Sequence, residues 1–277
     1  MNRTIRFTST TRPGRVAICL SIALATALAA GCASVNRLRE AQDSFNQAAT
    51  AENTLRLNST QPLTSGSDAP ATWSSARNGY ASALLSLGKL QPADERGLRQ
   101  DGLWGTTLTL KAVCQWRLGQ FQQALDSAAE AQKTAGDQIY PRDRAVLAAL
   151  PGLIKTDQAY QKILASQSSN NPALLAEIES LLVGPNGGVA NIQAAREQVD
   201  KDHPVQVYFL QAELAAYRNF QVAHFRLRSH ASVPTDHAAR ATANAHLKEL
   251  DAMVKSQPGG QDLVNYWSRL CGGLDIP

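Results

Sequence analysis

Alanine recurs in this chain at intervals that match the turn of an α-helix, and this pattern limits the fold more than any other feature. Three segments place an aromatic or small residue four positions after an alanine, and another alanine three positions later. They are Ala41-x3-Phe45-x2-Ala48, Ala76-x3-Tyr80-x2-Ala83 and Ala124-x3-Ala128-x2-Ala131. Residues at these offsets lie on one face of a helix. Because alanines flank each face, a second helix can approach it closely, so the spacing predicts paired α-helices.

The chain after residue 32 lacks any sustained alternation of apolar and polar residues, which predicts an all-α fold. The best strand candidate, Thr106–Leu110, lies within a longer run of helical period and is therefore interpreted as helix. The predicted helices cover residues 36–56, 71–88, 94–118, 121–135, 141–167, 172–182, 188–201, 204–229, 234–256 and 260–271.

Proline, asparagine and glycine supply the expected starts and stops of these helices. Asn171 precedes Pro172, a pair that suits a capping side chain followed by a first-turn proline. Pro141 and Pro204 are predicted to open helices in the same way. Gly119 predicts a stop, and residues 57–71, rich in Ser, Thr, Pro and Gly, predict a loop.

One stretch resembles the tetratricopeptide repeat, a helix–turn–helix unit of 34 residues. It reads Trp116-Arg117-Leu118-Gly119-Gln120-Phe121-Gln122-Gln123-Ala124-Leu125. Gly119 matches the turn glycine of that family and Phe121 the aromatic that starts the second helix, whereas Lys111 departs from the usual Leu. The resemblance covers one repeat at 105–138 and two partial repeats before it. It implies a tetratricopeptide-like α-solenoid, and an irregular helical bundle is the alternative.

The N-terminal segment has the order of a signal peptide. Arg3, Arg6, Arg12 and Arg15 precede Val16–Ala30, a run of 15 apolar or small residues without charge. This run is short for a membrane-spanning helix, which needs ~20 residues. Basic, apolar and small residues in this order predict a signal peptide over residues 1–31.

The end of the apolar run, Leu28-Ala29-Ala30-Gly31-Cys32, resembles the lipobox of bacterial lipoproteins. The resemblance implies cleavage before Cys32, a diacylglycerol on its thiol and acylation of its amine. Asp does not follow the cysteine, which in Gram-negative members of that family implies the outer membrane and its periplasmic face. Two alternatives are a secreted protein cut near Ala30 and an uncleaved membrane anchor.

Charge gives no support for nucleic-acid binding. The net charge of +4 comes from the four arginines before Cys32. Without them 23 basic residues face 23 acidic ones, so the processed chain is neutral. The domains are predicted as 1–31 for the signal peptide, 32–140 for a tetratricopeptide-like region, and 141–277 for a second helical region packed on the first.

No sequence motif of a hydrolase, metalloprotease or nucleotide-binding site is present, so no catalytic, cofactor or metal residue is assigned. Five histidines occur in the last third of the chain, at positions 203, 224, 230, 237 and 246, none spaced as a helical ligand pair. Cys114 and Cys271 are interpreted as buried thiols, with a disulfide between them as the alternative. Tyr217–Arg228 predicts a core helix with a basic edge, or alternatively a face for an acidic partner or lipid headgroups.

The sequence favours interaction over catalysis. Stacked helix pairs expose grooves suited to peptides and protein partners. We therefore expect a lipid-anchored scaffold or adaptor with an envelope protein partner, held on the membrane through Cys32. A small-molecule or lipid carrier with a pocket between helices is the alternative, and an envelope enzyme is a third, although no small-molecule substrate is assigned.

Replacing the proposed lipid acceptor tests the targeting prediction. We expect the variant Cys32→Ala to leave the membrane fraction or to accumulate as an unprocessed precursor, because the thiol that receives the lipid is gone. Membrane fractionation and the electrophoretic mobility of the two proteins measure this. Identical behaviour of variant and wild type would refute lipidation at Cys32.

Overall fold

The computed structural model of the chain describes residues 33–58, 73–167 and 170–271. Regular structure within these ranges is helical and contains no strand, which confirms the all-α prediction and the helical reading of Thr106–Leu110. The helices are α1 (Ala33–Asn58), α2 (Ser74–Gly88), α3 (Pro92–Gln100), α4 (Trp104–Arg117), α5 (Phe121–Ala135), α6 (Pro141–Ala165), α7 (Pro172–Leu182), α8 (Gly188–Arg196), α9 (Val205–Leu227), α10 (Ala238–Val254) and α11 (Gly260–Leu270).

Three predictions fall on other parts of the chain. The predicted signal peptide 1–31 and the lipid acceptor Cys32 lie outside the described residues. The predicted loop 57–71 lies outside them from residue 59 onward, and its first two residues belong to α1. None of the helices in the described ranges is both long and apolar enough to cross a bilayer.

The predicted caps at Asn171 and Gly119 and the first-turn proline Pro141 are confirmed, whereas Pro204 is the N-cap residue of α9 and lies outside its first turn. The Asn171 side chain accepts a hydrogen bond from the backbone N–H of Leu174 at 3.0 Å, and Pro172 opens α7. Gly119 has a φ of +78° and ends α4. There the N–H groups of Gly119 and Gln120 donate to the carbonyls of Trp116 and Gln115, which is the Schellman arrangement.

The single helix predicted over residues 94–118 is wrong, because the chain forms α3 and α4 there. Gly102, with a φ of +69°, ends α3. The N–H of Leu103 donates to the carbonyl of Leu98 at 2.7 Å and that of Gly102 to Arg99 at 3.2 Å. This is the same Schellman geometry as at Gly119. The Asp101-Gly102 pair was the available signal for this break.

The helices associate in pairs and the pairs associate in series. Pairs form between α1 and α2, α4 and α5, α6 and α8, and α9 and α10. The first helix of each pair also contacts the first helix of the next pair, and each of α2, α5 and α8 contacts the first helix of the next pair, α4, α6 and α9 respectively. The helices α3, α7 and α11 pack beside these pairs, α11 against α9 and α10.

The alanine pattern lies in the seams between helices. All nine residues of the three segments are buried. The antiparallel pair α1–α2 shows why, because a Cβ added to Gly79 of α2 would lie 2.7 Å from the Cβ of Ala48 in α1. Small side chains are therefore required where these two backbones cross.

Another close approach joins α6 and α8. A Cβ on Gly152 would lie 2.7 Å from the carbonyl oxygen of Gly188 and 2.9 Å from the Cβ of Asn191. Backbone atoms cannot move aside as a flexible side chain can, so this crossing depends on glycine at position 152.

The buried apolar side chains form two core clusters. The first core cluster runs from Leu38 in α1 to Phe209 in α9 and holds the α1–α2 and α4–α5 pairs together. The second core cluster runs from Ala159 in α6 to Cys271 and holds α7, α10 and α11 against α9. Because α6, α8 and α9 contribute to both clusters, these helices join the two halves of the chain.

Substitution of two glycines tests the importance of the α6–α8 crossing. We expect Gly152→Ala to lower the free energy of unfolding by about 1–3 kcal/mol, because the new methyl group overlaps backbone atoms of α8. Gly88, at the end of α2, is the matched control because its added Cβ would meet nothing within 4 Å. Gly88→Ala should leave that free energy unchanged or raise it by up to about 1 kcal/mol. Urea unfolding followed by far-UV circular dichroism measures both, and equal effects would contradict the close approach.

Candidate functional site

A pocket of about 100 Å³ lies where the two core clusters meet and is partly open to solvent. The first helices of the four pairs, α1, α4, α6 and α9, contribute most of its wall, and α2 and α11 complete it. Seven of the sixteen aromatic residues of the chain line it. Phe45, Tyr80 and Trp116 belong to the first half, and Tyr160, Tyr208, Tyr266 and Trp267 to the second.

An ion pair is built into the wall formed by α1 and α4. The carboxylate of Glu52 pairs with the guanidinium of Arg117, and their side chains are only 4% and 10% exposed. The Arg117 Nε donates to Glu52 Oε2 at 3.0 Å, and the Tyr80 hydroxyl donates to the same oxygen at 2.6 Å. Burial lowers the pKa of Arg117, and the charge of Asp157 opposes that shift.

The Arg117 guanidinium also lies over aromatic rings. Its central carbon is 4.5 Å from the centroid of Trp116, 5.6 Å from that of Trp73 and 5.9 Å from that of Tyr80. Cation–π attraction of this kind is stronger where water is excluded. This part of the wall therefore already stabilises one positive charge on aromatic faces.

Hydrogen bonds fix the two indole rings of the pocket. Trp116 Nε1 donates to Asp157 Oδ2 at 2.8 Å, across α4 and α6. Trp267 Nε1 donates to Gln211 Oε1 at 3.3 Å, across α11 and α9. Both rings are thus held in one orientation, and their N–H groups are satisfied by the wall itself.

Asn219 holds a buried acceptor within the pocket wall. Its side chain is almost fully enclosed, with the residue 3% exposed, and Nδ2 donates to the Thr156 carbonyl at 3.3 Å. That carbonyl fixes which end of the amide is nitrogen, because an oxygen placed there would face another acceptor. The Oδ1 atom makes no hydrogen bond within the described chain. A buried acceptor without a partner is costly, so its position at the pocket is informative.

The chemistry that this wall offers is hydrogen bonding, ring stacking and ion pairing. Both of its carboxylates already have partners. Glu52 interacts with Arg117 and Tyr80, and Asp157 accepts a hydrogen bond from Trp116. Within the described ranges, no group of three His, Cys, Asp or Glu side chains is arranged to hold a metal ion. The arrangement is that of a pre-formed pocket between helices.

The two remaining cysteines are both buried and free, so the alternative of a Cys114–Cys271 disulfide is wrong. Cys114 lies in the first core cluster and Cys271 in the second. Burial raises the pKa of both thiols, that of Cys271 to about 12. Both thiols therefore stay protonated at neutral pH and are poor nucleophiles.

The clustered histidines take structural positions. His246 Nδ1 lies 2.8 Å from Glu213 Oε2, and Arg196 Nε lies 3.1 Å from Glu213 Oε1, so one fully buried carboxylate joins α8, α9 and α10. His237 caps α10 by accepting from the N–H of Ala239 at 3.2 Å, and His203 Nδ1 accepts from the N–H of Val205 at 3.1 Å.

The segment Tyr217–Arg228 comprises the second half of α9 and its C-cap residue, Arg228. Tyr217, Phe220 and Leu227 are buried, and Arg226 and Arg228 are exposed, which agrees with a core helix that has a basic edge. Arg226 donates to the Ile163 carbonyl at 3.4 Å. This edge lies apart from the pocket, whose wall uses α9 residues up to Asn219.

Sequence reasoning did not find the pocket. Trp116 and Arg117 were noted for their match to a repeat, and Phe45 and Tyr80 for their place in the alanine pattern. The residues that line the pocket lie in six different helices and share no spacing along the chain, so their convergence is visible only in three dimensions. The available signal was local: Phe45 and Tyr80 occupy the central position of two alanine segments, where a small residue would suffice for close packing.

Comparison of the chain with protein-family models, with curated protein sequences and with solved structures gives no match.

A double-mutant cycle tests the buried ion pair. Glu52→Gln keeps the shape and the acceptor for Tyr80 but leaves the Arg117 charge buried without its counter-charge. We expect it to lower the free energy of unfolding by about 3–5 kcal/mol. Arg117→Met leaves the buried Glu52 carboxylate without its counter-charge. The double variant should lose less free energy of unfolding than the sum of the two single losses, because neither charge of the pair is then left without the other. Urea unfolding gives all four values, and additive losses would show that the pair is not coupled.

Proposed function

We propose that this chain is a lipid-anchored helical-repeat adaptor of the bacterial cell envelope, which binds a segment of a partner protein in the pocket. The observation that carries the proposal is the location of the pocket: the first helices of all four pairs contribute to its wall. In a solenoid of helix pairs, one face built from corresponding helices forms the ligand surface.

The order of helix contacts supports a tetratricopeptide-like arrangement. Each pair packs on the next through its first helix, and each second helix contacts the following pair, as stacking of repeated units requires. The Schellman turn at Gly119 between α4 and α5 supports the repeat assigned to residues 105–138. The helices α3, α7 and α11 do not belong to the four pairs. Unpaired helices of this kind are also typical of an irregular helical bundle, the alternative arrangement.

The proposed location is the periplasmic face of the outer membrane. The lipobox-like residues before Cys32 and the absence of Asp after it support this proposal. The first helix, α1, begins at Ala33, immediately after the proposed lipid acceptor. With lipid on Cys32, the helical body would lie against the bilayer rather than at the end of a stalk, and the partner would be met near the membrane surface.

A small-molecule carrier is the second candidate, and one observation favours it. The pocket is partly enclosed and its rings are fixed by hydrogen bonds, as in sites that bind small ligands. A carrier would hold its ligand without any contact to a partner protein, which makes the two candidates separable by experiment.

Site-specific photocrosslinking in the cell envelope tests the adaptor. In one variant, a photoreactive phenylalanine derivative replaces Tyr208, a half-buried residue of the pocket wall. In the control variant, the same derivative replaces Leu85, which is 64% exposed on α2 and lies outside the pocket. We expect a protein adduct from position 208 that position 85 does not give. Adducts that are the same from both positions, or none from position 208, would overturn the adaptor. If position 208 gives no protein adduct and a small ligand co-purifies with the wild-type chain, the carrier is supported.

A further inference from the structure

We propose that the pocket receives one uncharged aromatic ring, the side chain of a Phe or Tyr residue in the partner segment. The inference rests on the proposed function, because it takes the pocket as the place where that segment binds. It adds the chemistry by which the segment is recognised: one ring is enclosed by the rings of the wall, and the rest of the segment lies outside the pocket.

The rings of the wall are the first argument. Phe45 and Tyr80 line one half of the pocket, with ring centroids 5.5 Å apart and planes inclined by 57°. Tyr266 and Trp267 line the other half, with centroids 5.2 Å apart and planes inclined by 78°. Aromatic rings prefer centroid separations of about 4.5–7 Å in inclined or offset arrangements. A ring that enters the pocket would add contacts of the same kind on both sides.

The balance of formal charge is the second argument. The lining contains the carboxylates of Glu52 and Asp157 and the guanidinium of Arg117, which pairs with Glu52. A second guanidinium, that of Arg218, lies outside the lining but acts on Tyr160 in the wall. Two negative and two positive charges balance, so formal charge favours neither an anion nor a cation as the ligand. A charged group would lose its hydration on entry without an opposite charge in excess to receive it.

Hydrogen bonding within the wall is the third argument. Trp116 Nε1 donates to Asp157 across α4 and α6, and Trp267 Nε1 donates to Gln211 across α11 and α9. Both indole N–H groups are therefore engaged by the wall, and the two rings offer the pocket carbon atoms. A hydrocarbon ring needs no new hydrogen bond there, whereas a polar ligand needs partners to replace the water that it loses.

The size of the pocket limits how much of the ligand enters. A closed apolar cavity of about 150 Å³ holds one benzene molecule. Here the pocket measures about 100 Å³ and is open on one side, so one six-membered ring can enter with part of its edge at the opening. Sites that enclose a whole drug-sized ligand measure roughly 300–1,000 Å³. The remainder of the ligand therefore lies outside, and a peptide backbone can follow the first helices of the pairs.

Titration of the full chain in detergent with defined probes tests the ring selectivity. The peptides share one capped sequence, glycine on both sides of a central Phe, cyclohexylalanine, Ala, Lys or Glu, and benzyl alcohol serves as a free ring. Isothermal titration calorimetry gives the affinities. We expect the Phe peptide to bind at least about tenfold more tightly than the Ala, Lys and Glu peptides, because it alone of these buries an apolar ring.

Two further comparisons refine this expectation. Cyclohexylalanine has a similar volume to Phe but no π face, so its peptide should bind about two- to tenfold more weakly than the Phe peptide. The affinity for the Phe peptide should stay constant as salt is raised, because no charge of the ligand takes part.

Filling the pocket from within locates the binding. Ala215 of α9 lines the pocket and is half-buried. Ala215→Phe adds a ring of this chain where the ligand ring would lie, and it should abolish binding of the Phe peptide. The matched control is Ala252→Phe, the same change at an exposed alanine of α10, which contributes nothing to the wall and should not alter affinity.

Two substitutions of Tyr208, a half-buried residue of the wall, test the contribution of one ring. Tyr208→Ala removes the ring and should weaken binding of the Phe peptide about two- to tenfold. Tyr208→Phe keeps the ring and should bind that peptide more tightly than Tyr208→Ala does. If circular dichroism shows that a variant is unfolded, the peptide series with the wild-type chain still decides the question.

The outcomes separate this inference from the proposed function. Equal affinity for the Phe peptide and the cyclohexylalanine or Ala peptide, or a preference for Lys or Glu, overturns the aromatic-ring site while leaving a peptide-binding adaptor in place. Benzyl alcohol that binds when no peptide does supports the ring site and overturns the adaptor in favour of the carrier. Failure of every probe to bind overturns the ring site, and the crosslinking from position 208 alone then decides the adaptor.

Discussion

Close packing of helices through small side chains is the constraint on which the rest of this structure depends. At the α1–α2 crossing Gly79 lies against Ala48, and at the α6–α8 crossing Gly152 lies against Gly188. Added methyl groups at these glycines would come within 2.7 Å of atoms in the facing helix. At these short interhelical distances, dispersion attraction and the burial of small side chains stabilise the seams, where other helical proteins use larger side chains.

This packing determines where the large side chains go. Alanine occupies most positions of the seams within pairs, and seven aromatic residues converge on the pocket, two of them, Phe45 and Tyr80, from the α1–α2 seam. Rings held at fixed orientations by Asp157 and Gln211 cannot collapse into the space between them. A pocket therefore persists between two otherwise well-filled core clusters.

The pocket is a place where buried charge interrupts the apolar core. A carboxylate–guanidinium pair and the buried Asn219 Oδ1 are enclosed there among aromatic rings, as the Glu213 carboxylate is enclosed with Arg196 and His246 between α8, α9 and α10. Buried charge and unmet hydrogen bonds reduce stability, and local inconsistency of this kind is typical of functional sites.

The sequence by itself determined the all-α class, most helix boundaries and the buried alanine faces, because periodicity, caps and glycine turns are local properties. It missed the break at Gly102, although the chain carries the same turn geometry there as at the correctly predicted Gly119. Only the tertiary structure decided that Cys114 and Cys271 lie in separate clusters, that Glu213 joins three helices, and that Tyr80, Trp116 and Trp267 share a pocket. These are relations between residues far apart in the chain, and they follow from how helix pairs stack, which no local spacing specifies.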